Sequence, residues 1–420
     1  MTTSIKQAIS TDIRSATCPA CGYHVAVPFL PSEDMPLATL AWPEDAEAAL
    51  AMPHLPLDFV RCIDCGHIYN PQFDYANVPY SSKPNLMFNS GALWSIFIQS
   101  VQVMLLSRLP ACPTVVEIGH GDGSFLAALA KMKPCGRYIG FDPHGAVSGA
   151  EHVEFRAEYF EPEMHLPELT PDLIISRHVL EHFTNPLGFL QRMAFAALQC
   201  GVSPYAYFEV PCVDRVLETG RTVDFYYEHN SQFTTTSFTR MLTRCSAHIE
   251  QIGHGYDGEV VYGFMQLTGT ATQRGHAEEA AHYHRFTRKS LKTIQMQLAE
   301  LHRSGQQVAV WGGTGKSAAF MARYGMDAQR FPVVVDSDQA KVGTFAPGTG
   351  QEIRFRDWLI EHPAEVVIIP PQWRARDIIE EMQRHGIAVG TILIEHDGRL
   401  VDFHHDAHPY HADALGQSSL

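Results

Sequence analysis

The sequence predicts an α/β protein built from two doubly wound, largely parallel sheets in series, preceded by a small cysteine-bearing module. Three observations predict it. From residue 115, short apolar strands alternate with helices; a second alternation starts at 307; residues 1–70 instead carry Pro and Cys with little periodicity. Strands that alternate with helices belong to parallel sheets covered on both faces. The chain has 420 residues. One core stops growing at about 250–300 residues, so two or three domains are expected.

The elements run as follows. Residues 71–88 (PQFDYANVPYSSKPNLMF) read as a Pro- and Tyr-bearing connector, and a helix is expected over 89–108. VVEIG (115–119) is a strand, SFLAALAKM (124–132) a helix, and YIGFD (138–142) and DLIISR (172–177) are strands. PLGFLQRMAFAAL (186–198) is a helix and YAYFEVP (205–211) a strand, in a unit that extends to about 270. A long polar helix covers 276–304. Strands QVAVWG (307–312), a run ending at Asp336, EVVIIPP (365–371) and TILIEH (391–396) follow, with a helix at 376–386. The expected domains are therefore 1–75, 76–272 and 273–420.

Composition narrows the class. Hydrophobic residues make up 45% and charged residues 18%, so packed cores are expected and disorder is not. The net charge of −15 repels a phosphate backbone, and no Lys/Arg run offsets it, so no nucleic-acid partner is expected. The most apolar run, Ala92 to Leu106, is interrupted by Ser95, Gln99, Ser100 and Gln102. It also falls short of the roughly 20 residues of a membrane span, so it reads as a buried helix. The start, MTTSIKQAIS, has no apolar signal core. Five of the nine cysteines (Cys112, Cys135, Cys200, Cys212, Cys245) are scattered, which suits a reducing compartment. A cytoplasmic monomer or homodimer is expected. The tail residues His404, His405, His408 and His411 read as a solvated end.

Two motifs carry chemistry. Cys18-Pro-Ala-Cys21 and Cys62-Ile-Asp-Cys65 are each followed by glycine (Gly22, Gly66), as the tight turn of a zinc knuckle requires. Four thiolates fill a tetrahedral zinc ion and leave no open position, so this metal is expected to be structural. Glu117-Ile-Gly119-His-Gly121-Asp-Gly123 leaves the first strand and opens a helix, and Asp142 ends the next strand. Glycines admit a ligand close to the backbone, the helix N-terminus offers free N–H groups, and an acid at that strand end accepts hydrogen bonds from ribose hydroxyls. The spacing is not that of a dinucleotide turn.

The pattern E-x-G-x-G-x-G resembles the first motif of class I methyltransferases. DLIISRHVLEHFTNPLGFL (172–190) resembles the stretch that closes their fourth strand. That resemblance implies a Rossmann-like methyltransferase sheet and S-adenosylmethionine as cofactor, held by Glu117, Gly119, Gly121, Gly123, Asp142 and His178. His178 and His182 are four apart and would share one face if that turn is helical.

Nearly the whole chain resembles the deoxysugar C-methyltransferases, which act on nucleotide-linked 4-keto sugars. Four features carry this: the CxxC pairs, the methyltransferase core, Tyr226-Tyr227-Glu228-His229, which resembles the family's Tyr-His-Glu-His signature, and a C-terminal domain with VAVWGGTGKS (308–317) and VVDSDQAKVGTFAPG (334–348). The resemblance implies His229 as general base, Glu228 as its partner, Tyr226 and His182 beside them, and Tyr80 of the connector lining the sugar site. The chain departs from the family at Tyr227, at His178 and in the turn Gly312-Gly313-Thr314-Gly315-Lys316-Ser317.

The residue chemistry agrees. Methylating carbon next to a ketone needs a base for the C–H proton, and neutral imidazole suits that task. The enolate oxygen then needs a donor, for which His182 and Tyr226 are available. GGTGKS is not a P-loop, because Val310 stands where that loop needs glycine. Its backbone still suits a nucleotide phosphate, with Lys316 as partner. Two other readings stay open: methylation of oxygen or nitrogen in another small metabolite, and a non-catalytic zinc adaptor, which would need a degraded cofactor turn.

Overall fold

The structure, a computed structural model, describes residues 12–39, 42–78, 89–145, 152–245 and 247–411. The chain divides into two compact units, residues 1–275 and 276–420.

The first unit begins with β1 (Arg14–Ser15), β2 (Val25–Pro28), β3 (Glu33–Met35), α1 (Ala46–Leu50), β4 (Leu55–Leu57), β5 (Val60–Cys62) and β6 (Ile68–Tyr69). It continues through α2 (Ala92–Ser107), β7 (Thr114–Ile118), α3 (Ser124–Met132), β8 (Arg137–Phe141), β9 (Val153–Arg156), α4 (Pro162–Leu169), β10 (Leu173–Arg177), α5 (Pro186–Cys200) and β11 (Tyr205–Pro211). It ends with α6 (Asp214–Thr219), β12 (Ser231–Gln232), α7 (Thr235–Thr243), β13 (Ala247–Gly255) and β14 (Val260–Leu267).

Seven strands form the main sheet in the order β13-β14-β11-β10-β7-β8-β9. All run parallel except β14, which is antiparallel to both neighbours. This is the class I S-adenosylmethionine methyltransferase sheet. Its strands alternate faces with period two. Val116, Ile118, Ile139, Phe141, Ile174 and Phe208 pack under α4, α5 and α7, while Val115, Tyr138, Leu173, Ile175 and Tyr207 pack under α2 and α3. Both faces being covered explains why these strands read as continuous apolar runs. Four elements of this sheet escaped the reading of the sequence: β9, α4 and the antiparallel pair β13–β14. β13 (AHIEQIGHG) contains only one buried residue, Gly255, so its sequence lacks an apolar signal.

A five-stranded sheet, β1-β2-β5-β6-β12, holds the N-terminal module. Its last strand comes from residues 231–232, more than 150 positions downstream, where Ser231 pairs with Tyr69 and Gln232 with Ile68. The module shares a core with the main sheet, and Leu187 N donates to Pro19 O at 3.3 Å. Cys112 and Cys135 correct the reading of five scattered cysteines: they form a disulfide, with Cα atoms 4.9 Å apart. Parallel pairing of β7 and β8 brings the turns before those strands together, a proximity that the 23-residue separation does not reveal.

The second unit consists of all but the first residues of α8 (Ala271–Arg303), then β15 (Val308–Trp311), α9 (Lys316–Tyr324), β16 (Val333–Asp336), β17 (Ile353–Phe355), α10 (Trp358–Glu361), β18 (Val366–Ile368), α11 (Ala375–Arg384), β19 (Thr391–His396) and β20 (Arg399–Asp402). Its sheet order is β17-β16-β15-β18-β19-β20, parallel except for β20. This is the expected second Rossmann-like sheet. Among the described residues no helix is long and apolar enough to cross a membrane.

Candidate functional site

The order of the main sheet reverses between β7 and β10, and open α/β sheets bind ligands at such a switch point. There the carboxyl ends of β7, β8, β10 and β11 line a cavity of about 1770 Å³. The glycine turn forms its floor. Gly119 N donates to Phe141 O at 2.7 Å and Gly121 N to Asp142 Oδ2 at 3.1 Å, so the turn is tied to the end of β8. Asp142 Oδ1 also accepts from His144 N at 2.9 Å, which fixes the carboxylate at the cavity wall. Glu117 is buried, and burial pushes its carboxyl up to about 8, with Arg177 pulling the other way. These residues fit S-adenosylmethionine: a backbone turn open to a ligand, with two carboxyl groups at adjoining strand ends. Gly119 has φ +72°, and a Cβ there would meet Val179 Cγ2 at 2.3 Å. Gly119→Ala is therefore expected to weaken cofactor binding about tenfold or more, from left-handed strain of about 1–2 kcal/mol plus the clash. Calorimetry with the purified variant checks this; wild-type affinity would contradict it.

The imidazoles line the same cavity. His182 ends a single turn, Leu180–His182, just past β10, and His229 sits on the segment between α6 and β12. Their rings lie 4.7 Å apart and nearly perpendicular. His182 Nδ1 is 2.8 Å from the backbone oxygen of Glu228, so that nitrogen carries a proton. The Tyr226 hydroxyl lies 2.9 Å from His229 Nδ1 and 3.0 Å from Nε2. Burial, with His182 adding to it, pushes His229 down to about 3, and burial raises the Tyr226 phenol above its usual range. His229 is therefore neutral in the free protein.

The expected pairing of Glu228 with His229 is not formed. Glu228 Oε1 accepts from Ala38 N at 2.8 Å and Thr39 N at 2.7 Å, so its side chain ties down the N-terminal module. Tyr227 and Glu228 form a turn between Tyr226 and His229, which carries their side chains to the module while 226 and 229 line the cavity. Tyr227 shares that scaffold side: it is fully buried, and its hydroxyl accepts from Asp74 N at 2.9 Å. The departure from the signature at 227 thus falls outside the cavity. The carboxylate beside the two imidazoles is Glu181, which the reading of HVLEH passed over.

His178 and His182 do not share a helix face, because His178 has φ +53° and precedes the turn. His178 lines the cavity but is engaged by two acids: Nε2 lies 3.0 Å from Glu209 Oε1 and Nδ1 3.7 Å from Glu181 Oε1. Burial opposes its charge, yet the two carboxylates raise it to about 9. Burial would raise Glu209 too, but Arg177, 3.1 Å away, and His178 hold it at about 2. Arg177 packs over Phe125, its guanidinium carbon 4.3 Å from the ring centroid.

In the N-terminal module, Cys18, Cys21, Cys62 and Cys65 are buried, and their Sγ atoms all lie within 4.8 Å of one another. Cys18 and Cys65 are 3.7 Å apart, Cys21 and Cys62 3.6 Å. A zinc–sulfur bond of about 2.3 Å sets a tetrahedron edge of about 3.8 Å, so the quartet fits zinc. The knuckles match each other: Gly22 N donates to Cys18 O and Gly66 N to Cys62 O, with φ of +74° and +77°.

In the second unit, Gly312 N donates to Val335 O at 2.6 Å and Gly313 N to Asp336 Oδ2 at 3.1 Å. This repeats the tie between glycine turn and strand-end aspartate seen in the first unit. Lys316 begins α9, its ammonium 3.6 Å from the Trp373 ring centroid. Tyr80, expected at the sugar site, lies outside the described residues.

Residues 97–246 match the family model of a methyltransferase domain, and residues 267–395 match that of a C-methyltransferase C-terminal domain. No curated protein matches the chain. Among solved structures it is similar to an SAM-dependent methyltransferase from Aquifex aeolicus, at 14% identity over 43% of this chain and 100% of that one, TM-score 0.31. It is also similar to the plantazolicin methyltransferase BpumL in complex with SAH, at 16% identity over 42% of this chain and 84% of that one, TM-score 0.32. A third is human N-acetylserotonin methyltransferase in complex with SAM, at 14% identity over 45% of this chain and 63% of that one, TM-score 0.30.

Proposed function

As a chain that belongs to a C-methyltransferase family and acts with S-adenosylmethionine, this protein, we propose, methylates the carbon beside the ketone of a nucleotide-linked 4-keto deoxysugar, with His229 as the base. The observation that carries this reading is a neutral imidazole on the cavity wall, facing a tyrosine hydroxyl, in the cavity that the glycine turn also lines.

S-adenosylmethionine supplies an electrophilic methyl group on a sulfonium centre. Gly119, Gly121, Gly123, Glu117 and Asp142 hold it, and His178 fixes the strand end beside it. His229 removes the C–H proton, and the electron pair of that bond moves to the ketone oxygen. Since His182 keeps its Nδ1 proton on the Glu228 carbonyl, the donor toward that oxygen is Tyr226. The enolate carbon then takes the methyl group, and the pair of the broken S–C bond stays on sulfur. Positioning supplies much of the rate, because a held pair reacts at a high effective concentration. Lys316 and the Gly312–Gly315 turn take the nucleotide phosphates, Tyr80 lines the sugar, and the four cysteines hold one structural zinc ion.

The test uses deuterium and a labelled cofactor. With S-adenosylhomocysteine in place of the donor, the holoenzyme is expected to exchange the substrate C–H for deuterium from solvent. With methyl-labelled cofactor the label is expected on carbon. A label on oxygen or nitrogen, without exchange, would replace this reading with that of a heteroatom methyltransferase.

A further inference from the structure

Resting on the reading of His229 as base, we infer that Glu181 is the carboxylate that supports it, acting through space on both His229 and His182. Glu181 is only 2% exposed, and among the described residues neither of its oxygens has a hydrogen-bond donor. One of them lies within 4.8 Å of a ring nitrogen of His182 and of His229. A bare buried carboxylate is strongly disfavoured unless a cation answers it. The answering group is His178, at 3.7 Å, an ion-pair distance too long for a hydrogen bond.

The surrounding charges explain the arrangement. Arg177 and His178 come from the end of β10, Glu209 and Tyr207 from β11, Tyr226 and His229 from the 226–229 segment, and Tyr75 of the N-terminal module donates to the His182 carbonyl. Within this network Arg177 and His178 answer Glu209 and Glu181, and Asp224 and Glu228 are further acids near Tyr226. Taking the substrate proton adds one positive charge on a pair of imidazoles held in a low-dielectric pocket. Glu181 is the acid within reach of both rings, while Glu228 is spent on Ala38 and Thr39. Burial and His182 push His229 down, and Glu181 is the group that pulls it back up. A base must hold its proton near the working pH to be effective. The orphaned oxygens therefore belong to the protonated state: they are placed for a cation that forms only during turnover.

Glu181→Gln in the full chain, zinc included, tests this. The substitution keeps shape and removes charge. It is expected to lower kcat about 100-fold while S-adenosylmethionine affinity is kept. The acid limb of the kcat/KM profile is expected to move to lower pH, because an imidazolium without its carboxylate loses its proton more readily. Glu181→Asp, with the charge set back, should recover part of both. Imidazole nitrogen NMR of His229 in wild type and Glu181→Asp reads the same shift without turnover, should the glutamine variant fold poorly. A wild-type rate with an unmoved profile in Glu181→Gln, or equal His229 pKa values by NMR, would overturn the assignment. So would a second metal ion per chain that Glu181→Gln removes, since the cluster would then be a metal site. The two readings separate cleanly: an active His229→Ala removes the base itself, whereas an inactive His229→Ala beside a normal Glu181→Gln removes only the role of Glu181.

Discussion

Replacing His229 by Ala is expected to lower kcat by about 10²–10⁴-fold, the usual contribution of a positioned general base. S-adenosylmethionine binding should survive, because the glycine turn and Asp142 make no hydrogen bond to residues 226–229. Deuterium exchange at the acceptor carbon should fall in parallel with methyl transfer, since both need the same proton removed. The pattern matters more than the size. A residue that only shaped the cavity would raise KM, whereas loss of a base lowers kcat and kcat/KM together. Full exchange with no transfer would mean that another group takes the proton, His182 being the neighbouring imidazole. Stability should change little, because His229 lines the cavity and its side-chain partner is the phenol of Tyr226.

The legible and illegible parts of this site divide along a physical line. VVEIG, YIGFD and YAYFEVP are strands buried on both faces, so their β-branched and aromatic runs announce themselves. The turn between the first two is equally readable, because only glycine serves where the backbone runs left-handed against Val179. The strands of the N-terminal module have two to four residues, too few for any period, and β12 has two. The electrostatic partners of the imidazoles were illegible for another reason. Glu228 adjoins His229 in sequence, but the turn at 227–228 carries its side chain to Ala38 and Thr39 instead. Glu181 is 48 positions away and reaches it through the fold. Arg177, Glu209 and His178 likewise form one buried network only because β10 and β11 run parallel in register, Arg177 opposite Glu209.

The largest effect on the whole molecule is expected from the cysteine quartet. Cys18→Ser or Cys62→Ser should abolish the zinc binding proposed for the quartet, and structural zinc contributes about 10–16 kcal/mol in small modules at neutral pH. The strands it staples are too short to hold themselves. The loss should not stay in the module, because the segment that carries His229 is fastened to it residue by residue. Tyr227 binds Asp74, Glu228 binds Ala38 and Thr39, Asn230 O accepts from Asn70 N at 2.9 Å, and Ser231 and Gln232 complete its sheet. Tyr226, His229 and Gln232 of that run line the cavity. Without the module the segment is left with its bonds to His182, from the Glu228 carbonyl and Asn230 Nδ2, and a base displaced by about an ångström already loses on the order of 100-fold. The cysteine variants are thus expected to lose zinc by elemental analysis, to melt at lower temperature and to lose methyl transfer, while the main sheet keeps its affinity for S-adenosylmethionine. Cofactor affinity lost in step with zinc would mean that the module also sustains the Gly119–Gly123 turn. Unchanged turnover in a zinc-free variant would mean that the quartet has no part in placing His229.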